Sequence, residues 1–246
     1  INIPKGTLYH MEWEMDEEKS NKMVVVESTT PFEIPRHYIT ESGQLAEDAP
    51  YWERDLRPPE YEEPKRAEGE FKLHIQAGWR NFEYTLDHHP LDVVGWDGFL
   101  YPYILNIRDF SPKVGKIHLP PPVHLVFQTQ SFVYCNFCPR LFDFHPEAIP
   151  APYVHHNVDS DEVLYYVEGN FMSRKGVEEG SITLHPTGIP HGPQPGKTEE
   201  SIGKKETLEY ALMVDTFAPL SPTLEAQKVQ DETYFRSWLT DNPLLG

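Results

Sequence analysis

Pro152-Tyr-Val-His155-His-Asn157-Val-Asp-Ser-Asp-Glu162-Val-Leu-Tyr-Tyr-Val-Glu-Gly169 is followed, after a short gap, by Gly180-Ser-Ile-Thr-Leu-His185-Pro186-Thr-Gly188-Ile-Pro-His191. The first stretch reads as strand, turn and strand, with His155 and Glu162 separated by six residues. Hairpin geometry brings two such side chains next to each other, facing one interior. In the second stretch Pro186 and Gly188 define a tight turn, which aims His191 back at the same interior.

Working outward, apolar and aromatic runs of strand length recur at close spacing: 123–127, 132–137, 163–167, 171–174, 181–184 and 208–214. The polar turn 128–131 joins the first two. Short strands at this spacing indicate an all-β sandwich or closed barrel. Residues 7–14 and 23–27 also read as strands, separated by a charged turn at 16–21. Residues 38–69 are rich in Pro, Glu, Asp and Arg. They read as an extended, surface-hugging segment that packs through Tyr51, Trp52 and Tyr61. Near the end, 224–238 has helical character, with Val229, Phe235 and Trp238 as anchors.

Composition agrees. The chain has 246 residues, 39% of them hydrophobic, and its 24 Pro and 15 Gly suit many short strands better than helices. A formal charge of −18 argues against nucleic acid or an anionic membrane surface as partner. Two cysteines, Cys135 and Cys138, are too few for a disulfide-stapled fold. No apolar run has the length of a membrane span and no signal peptide is legible, so a cytoplasmic location is the default expectation. The chain does not begin with Met, and its first residue need not be the native start.

The two quoted stretches resemble the paired motifs of the cupin superfamily. The second matches G-x5-P-x-G-x2-H throughout; the first departs from the pattern, with Asn157 at the usual second histidine. The resemblance implies a double-stranded β-helix, or jelly-roll, barrel holding one metal through His155, Glu162 and His191. Two imidazoles and one carboxylate leave three cis positions open on an octahedral ion, a donor set that favours non-haem Fe(II) with dioxygen as co-substrate.

Within the cupins, Val93-Val-Gly-Trp96-Asp97-Gly98-Phe-Leu-Tyr-Pro-Tyr103, Pro152-Tyr-Val-His155-His-Asn157, Leu184-His185-Pro186 and Pro190-His191-Gly192-Pro193 look like the homogentisate 1,2-dioxygenase family. Val24-Val-Val-Glu27, Ile34-Pro35-Arg36 and Gly43-Gln-Leu-Ala-Glu47-Asp-Ala-Pro50 agree with it. The resemblance implies an Fe(II)-dependent ring-cleaving dioxygenase acting on homogentisate or a related hydroquinone-type aromatic acid, in tyrosine and phenylalanine catabolism. It also implies a homo-oligomer, trimeric or hexameric. His185 is expected beside the metal on the substrate side. The family's catalytic base, a His between Trp and Gly, is Asp97 here, read as a replacement base. Its reference pKa near 4 makes it weaker than imidazole unless burial raises it. Substrate contacts fall on Tyr153, His156, Phe171 and the ligand His191. Tyr153 matches the family, whereas His156 replaces an Arg and Phe171 a Tyr, which puts the substrate's ring substituent in question.

Family members are two-cupin proteins. Pro4-Lys-Gly6-Thr-Leu-Tyr9 repeats the spacing of Pro186-Thr-Gly188-Ile-Pro-His191, with Tyr9 in the ligand's place. The fold expectation is therefore bicupin-derived, with an incomplete first barrel and a short C-terminal helix. Residues 1–70 hold the remainder of a metal-free cupin, its first half absent here and expected in the native protein, plus the Pro-rich segment. Residues 71–120 form a β connecting region carrying Trp96-Asp97-Gly98. Residues 121–246 form the metal-binding cupin and the helix.

Other features carry less. Cys135-Asn-Phe-Cys138 places its sulfurs on opposite faces of a strand and reads as buried thiols. His88-His89-Pro90 reads as a structural turn, and Glu12, Glu14, Asp16, Glu17 and Glu18 as a solvated surface. His118 and His124 flank a proline turn that can line the barrel mouth. Two readings compete with the dioxygenase: a cupin isomerase or decarboxylase using Mn or Zn, and a non-catalytic metal-binding cupin.

Overall fold

The computed structural model describes residues 1–14, 21–93, 100–117, 119, 121–151 and 153–239. It divides into two compact units, one of residues 1–31 and 52–106, the other of 32–51 and 107–246.

In the first unit, β1 (Leu56–Arg57) pairs with β4 (Ile104–Leu105), and a long antiparallel hairpin is made by β2 (Glu68–Ala77) and β3 (Arg80–His88). Residues 7–14 and 23–27, expected as strands, form none. Their side chains are mostly exposed, and no neighbouring strand lies alongside to take their backbone groups among the described residues. The repeat noted in the sequence does have a structural counterpart. Thr7 N–H bonds the Pro4 carbonyl at 3.1 Å with Gly6 at φ +84°, and Ile189 N–H bonds the Pro186 carbonyl at 3.2 Å with Gly188 at φ +77°. Both are four-residue turns whose third position needs a positive φ, which glycine supplies without steric cost. The charged turn at 16–21 falls almost wholly outside the described residues.

The second unit carries β5 (Leu125–Gln128), β6 (Phe132–Phe137), β7 (Arg140–Leu141), β8 (Asp161–Glu168), β9 (Ile182–His185), β10 (Glu206–Thr207) and β11 (Tyr210–Thr216). Five of these form one antiparallel sheet in the order β5-β6-β11-β8-β9, and β7 pairs with β10. The architecture is an all-β, cupin-like fold with few and short helices. Residues 171–174 make a turn rather than a strand, closed by Arg174 N–H on the Phe171 carbonyl at 3.1 Å. The C-terminal region is a one-turn helix, Leu224–Lys228, capped by the Thr223 hydroxyl, and a separate 3-10 turn, Tyr234–Trp238.

Residues opposite one another in an antiparallel ladder share a face, and alternate residues along each strand share it too. On one face of the sheet this places Cys135, Ala211, Met213, Leu164 and Tyr166, which pack with Phe171 as a buried cluster flanked by Leu125, Val133, Phe137 and Val177. Removing this apolar surface from water is what holds the sheet to its covering loops. At one end of the same face the register aligns Val133, Asp215, Glu162 and His185 in a row across β6, β11, β8 and β9. The apolar floor thus ends in a line of polar groups.

The Pro-rich segment behaves partly as expected. Tyr51 is fully buried in the second unit, donating to the Val126 carbonyl at 2.6 Å and packing on Tyr38, Phe110 and Phe127. Tyr61 is exposed.

Candidate metal centre

His155 and His191 come from loops 36 positions apart in sequence, yet their backbones exchange two hydrogen bonds. His155 N–H bonds the His191 carbonyl at 2.8 Å and His191 N–H the His155 carbonyl at 2.7 Å. Gly192 permits this approach: it sits at φ +150°, and a Cβ there would lie 2.9 Å from Val154 Cα. The two imidazoles are consequently held with ring centroids 4.6 Å apart.

Each ring is oriented by a carbonyl two residues back. His155 Nδ1 lies 2.9 Å from the Tyr153 carbonyl, and His191 Nδ1 lies 2.9 Å from that of Ile189. A carbonyl only accepts, so Nδ1 carries the proton in both rings and Nε2 keeps its lone pair. Orientation through the far nitrogen is the usual support of a metal-ligating imidazole.

Glu162, buried on β8, completes the cluster. Its Oε1 accepts from His185 Nδ1 at 2.6 Å, while Oε2 lies 3.6 Å from His191 Nε2. One donor atom from each of His155, Glu162 and His191 lies within 4.8 Å of the other two. His191 Nε2 is buried and has no hydrogen-bond partner among the described residues. A buried lone pair with no donor, facing a carboxylate oxygen, fits a cation between them better than any arrangement of the side chains alone. Two neutral imidazoles and a carboxylate are also the chemistry expected of a first-row divalent ion's donors.

Neighbouring Asp161 is excluded as the carboxylate ligand. Alternation turns it to the other face, and both its oxygens are engaged. Oδ1 accepts from Thr187 N–H and Thr187 hydroxyl, each at 2.7 Å, and Oδ2 from Leu220 N–H at 2.7 Å. Asp161 pins the turn that presents His191, and these bonds hold its carboxyl below the usual range.

Electrostatics follow from the same contacts. Burial pushes the Glu162 carboxyl up, but its hydrogen-bonding and electrostatic interactions with His185 and His191 outweigh it and hold it well below the usual carboxylate range. For His185, burial dominates over Glu162 and lowers the imidazole pKa. For His191, burial is outweighed by Glu162 and the Ile189 carbonyl, and the net shift is upward. His185 stacks on His191 with centroids 4.5 Å apart, and its Nε2 is likewise buried without a partner among the described residues.

Other expected site residues lie less centrally. Tyr153 is 63% exposed with its ring 5.6 Å from that of His155, and His156 is exposed. Phe171 is buried in the apolar cluster against Tyr166. Asp97, with Trp96 and Gly98, lies outside the described residues, as does His118. His124 packs on Phe137 with ring centroids 4.9 Å apart. His89 Nδ1 accepts from Leu91 N–H at 3.0 Å, within a turn. Both cysteines are buried free thiols, and burial pushes Cys138 up to about 11.

One residue escaped the sequence reading. Asp215 stands opposite Glu162 in the ladder, and its Oδ1 is buried without a partner among the described residues. Burial, with the charge of Glu162, pushes its carboxyl up to about 7. The strand period was legible, but which residue of β11 falls opposite Glu162 depends on register.

Fold and site together define a cupin-like β protein with a His–Glu–His cluster suited to one metal ion. No protein-family model matches the chain. It is 42% identical over 245 residues to a Saccharolobus solfataricus protein named "Putative dioxygenase SSO1533", covering 97% of this chain and 61% of that protein. It is 26% identical over 258 residues to a homogentisate 1,2-dioxygenase of Rhizobium rhizogenes, covering 97% of this chain and 54% of the relative. The chain thus spans between half and two-thirds of the length of these curated relatives.

Proposed function

We propose that the chain is the metal-bearing part of an Fe(II)-dependent ring-cleaving dioxygenase acting on homogentisate or a related hydroquinone-type aromatic acid. The observation that carries the reading is the convergence of His155, Glu162 and His191, with the buried lone pair of His191 Nε2 left for a cation. The names of both relatives support dioxygenase chemistry. Iron, when bound, supplies Lewis acidity and an electron path between an electron-rich ring and dioxygen.

The protein's own groups have separable tasks. His155 and His191 present Nε2 because their Nδ1 protons are committed to backbone carbonyls. Glu162 offers Oε2 because His185 occupies Oε1. His185 is then left with a buried, basic Nε2, the atom placed to accept a ring hydroxyl's proton. Its lowered pKa keeps it neutral near pH 7, as an acceptor must be. Asp97 remains a candidate second base, and Tyr153 and His156 candidate contacts for the substrate's carboxylate at the rim. A role in tyrosine and phenylalanine breakdown, a cytoplasmic location and a trimeric or hexameric assembly belong to the same proposal.

Metal analysis of purified protein, followed by oxygen uptake on adding homogentisate to the Fe(II)-loaded form, tests it. Iron near one equivalent with stoichiometric oxygen uptake is expected. Zinc or manganese with no oxygen uptake would transfer the assignment to an isomerase, a decarboxylase or a binding protein.

A further inference from the structure

The 3-10 turn Tyr234–Trp238 is tied to Gln194 and to His185, beside the metal centre. Gln194, three residues after the ligand His191 and almost wholly buried, donates to the Ser237 hydroxyl at 2.5 Å and to the Lys175 carbonyl at 3.1 Å. Ser237 in turn closes the turn on the Tyr234 carbonyl. This anchoring sets the Trp238 ring edge-to-face with His185 at 6.3 Å and with Tyr234 at 5.2 Å. Phe235, between them, is exposed, so the turn directs Tyr234 and Trp238 to the protein side.

Both inward side chains carry a polar atom that the fold leaves unused. The Trp238 indole nitrogen and the Tyr234 hydroxyl are buried with no hydrogen-bond partner among the described residues. An unpaired buried donor costs roughly 1–3 kcal/mol, so two on one turn, next to a third unpaired atom at His185 Nε2, call for a common cause. The three atoms are not equivalent. An indole N–H only donates. The Tyr234 phenol stays protonated, burial having pushed it up to about 12, and so it also offers a donor. His185 Nε2 only accepts, its proton being on Nδ1. One ligand with a hydroxyl for His185 and acceptor oxygens for Trp238 and Tyr234 would satisfy all three.

We propose that Tyr234 and Trp238 are substrate-contacting residues, which read the oxygen-bearing substituent of a hydroxylated aromatic acid whose ring hydroxyl faces His185. This deepens the function proposed above and rests on it. Phe171, where the resemblance implies a polar contact, lies in the apolar cluster and its ring cannot donate, so Tyr234 and Trp238 supply further donors for the same substituent.

The test uses Zn(II)-loaded protein, which binds without turnover, and isothermal titration calorimetry with homogentisate, comparing Trp238→Phe and Tyr234→Phe with the parent. Each variant keeps a ring and removes one polar atom. Affinity is expected to fall about 5- to 30-fold in each, the effect of leaving one acceptor oxygen unpaired. Zn(II) affinity should not change, the melting temperature of Tyr234→Phe without aromatic acid should not fall, since the variant loses an unpaired polar atom, and hydroquinone, which lacks the carboxylate, should lose much less. Parent-like homogentisate binding in both variants would overturn the inference while leaving the dioxygenase reading intact. A parent protein that binds Zn(II) but no aromatic acid would sink that reading, and this inference with it.

Discussion

Nδ1 of His185 donates to Oε1 of Glu162 at 2.6 Å, across two neighbouring strands and out of reach of water. The bond leaves Oε2 as the carboxylate oxygen facing His191 Nε2, and it leaves His185 Nε2 buried without a partner among the described residues. Under the proposed function, metal binding and proton acceptance are coupled through this one side chain.

Replacing His185 with Ala should lower Fe(II) or Zn(II) affinity by roughly 10- to 100-fold, because Glu162 loses the donor that orients it. Competition against a fluorescent chelator measures this. Unchanged affinity would show that Glu162 is held by other means.

Gly192→Ala should break the backbone bridge between the two ligand histidines. The left-handed φ and the 2.9 Å approach to Val154 Cα leave no space for a methyl group. A loss of roughly 1–3 kcal/mol in urea unfolding and a fall in metal occupancy are expected together. Alanine at Gly203, where no atom lies within 4 Å of the added Cβ, controls for backbone strain alone.

Asp161→Ala removes the acceptor for two backbone N–H groups and a hydroxyl, at an expected cost of about 2–4 kcal/mol. The pH dependence has a definite sign. The folded-state carboxyl is lowered from 3.8, so its contribution is complete above about pH 4 and is lost as pH falls below that. Equilibrium unfolding between pH 3 and 7 should show the wild type converging on the variant only at the acid end.

Asp215 has the opposite sign. With its folded pKa pushed up from 3.8 to about 7, its neutral form is the stable one, and metal-free protein should lose stability as pH rises through 4 to 7. Asp215→Asn should remove that slope and raise the apo-protein's melting temperature at pH 8 by about 2–8 °C, with no gain at pH 4. Melting curves in excess chelator decide it. A bound cation beside Glu162 stabilises the charged carboxylate and should shrink the difference.

The ligand cluster was legible because cupin motifs carry their ligands at constrained spacings: Gly188 and the prolines force the turn, and alternation assigns Glu162 rather than Asp161 to the interior. The strands at 132–137, 163–167 and 208–214 were legible for the same reason, since a buried face imposes a period of two. The run at 171–174 misled, because a short stretch such as Phe171-Met-Ser-Arg174 looks alike in a strand and in a packed turn. The stretches at 7–14 and 23–27 misled because a strand exists only where a neighbour takes its hydrogen bonds.

Local order, then, came from the sequence: most of the segments that extend, where the chain turns and, through motif spacing, which three side chains carry donor atoms of the right kind. Tertiary structure decided what those segments meet. The row Asp215–Glu162–His185, the hydrogen bond that divides the two oxygens of Glu162, and the edge-to-face contact of Trp238 with His185 all join residues far apart in the chain. Their contacts depend on strand register and on the packing of loops against a shared face, and these are set by the burial of the whole molecule rather than by any one stretch of it.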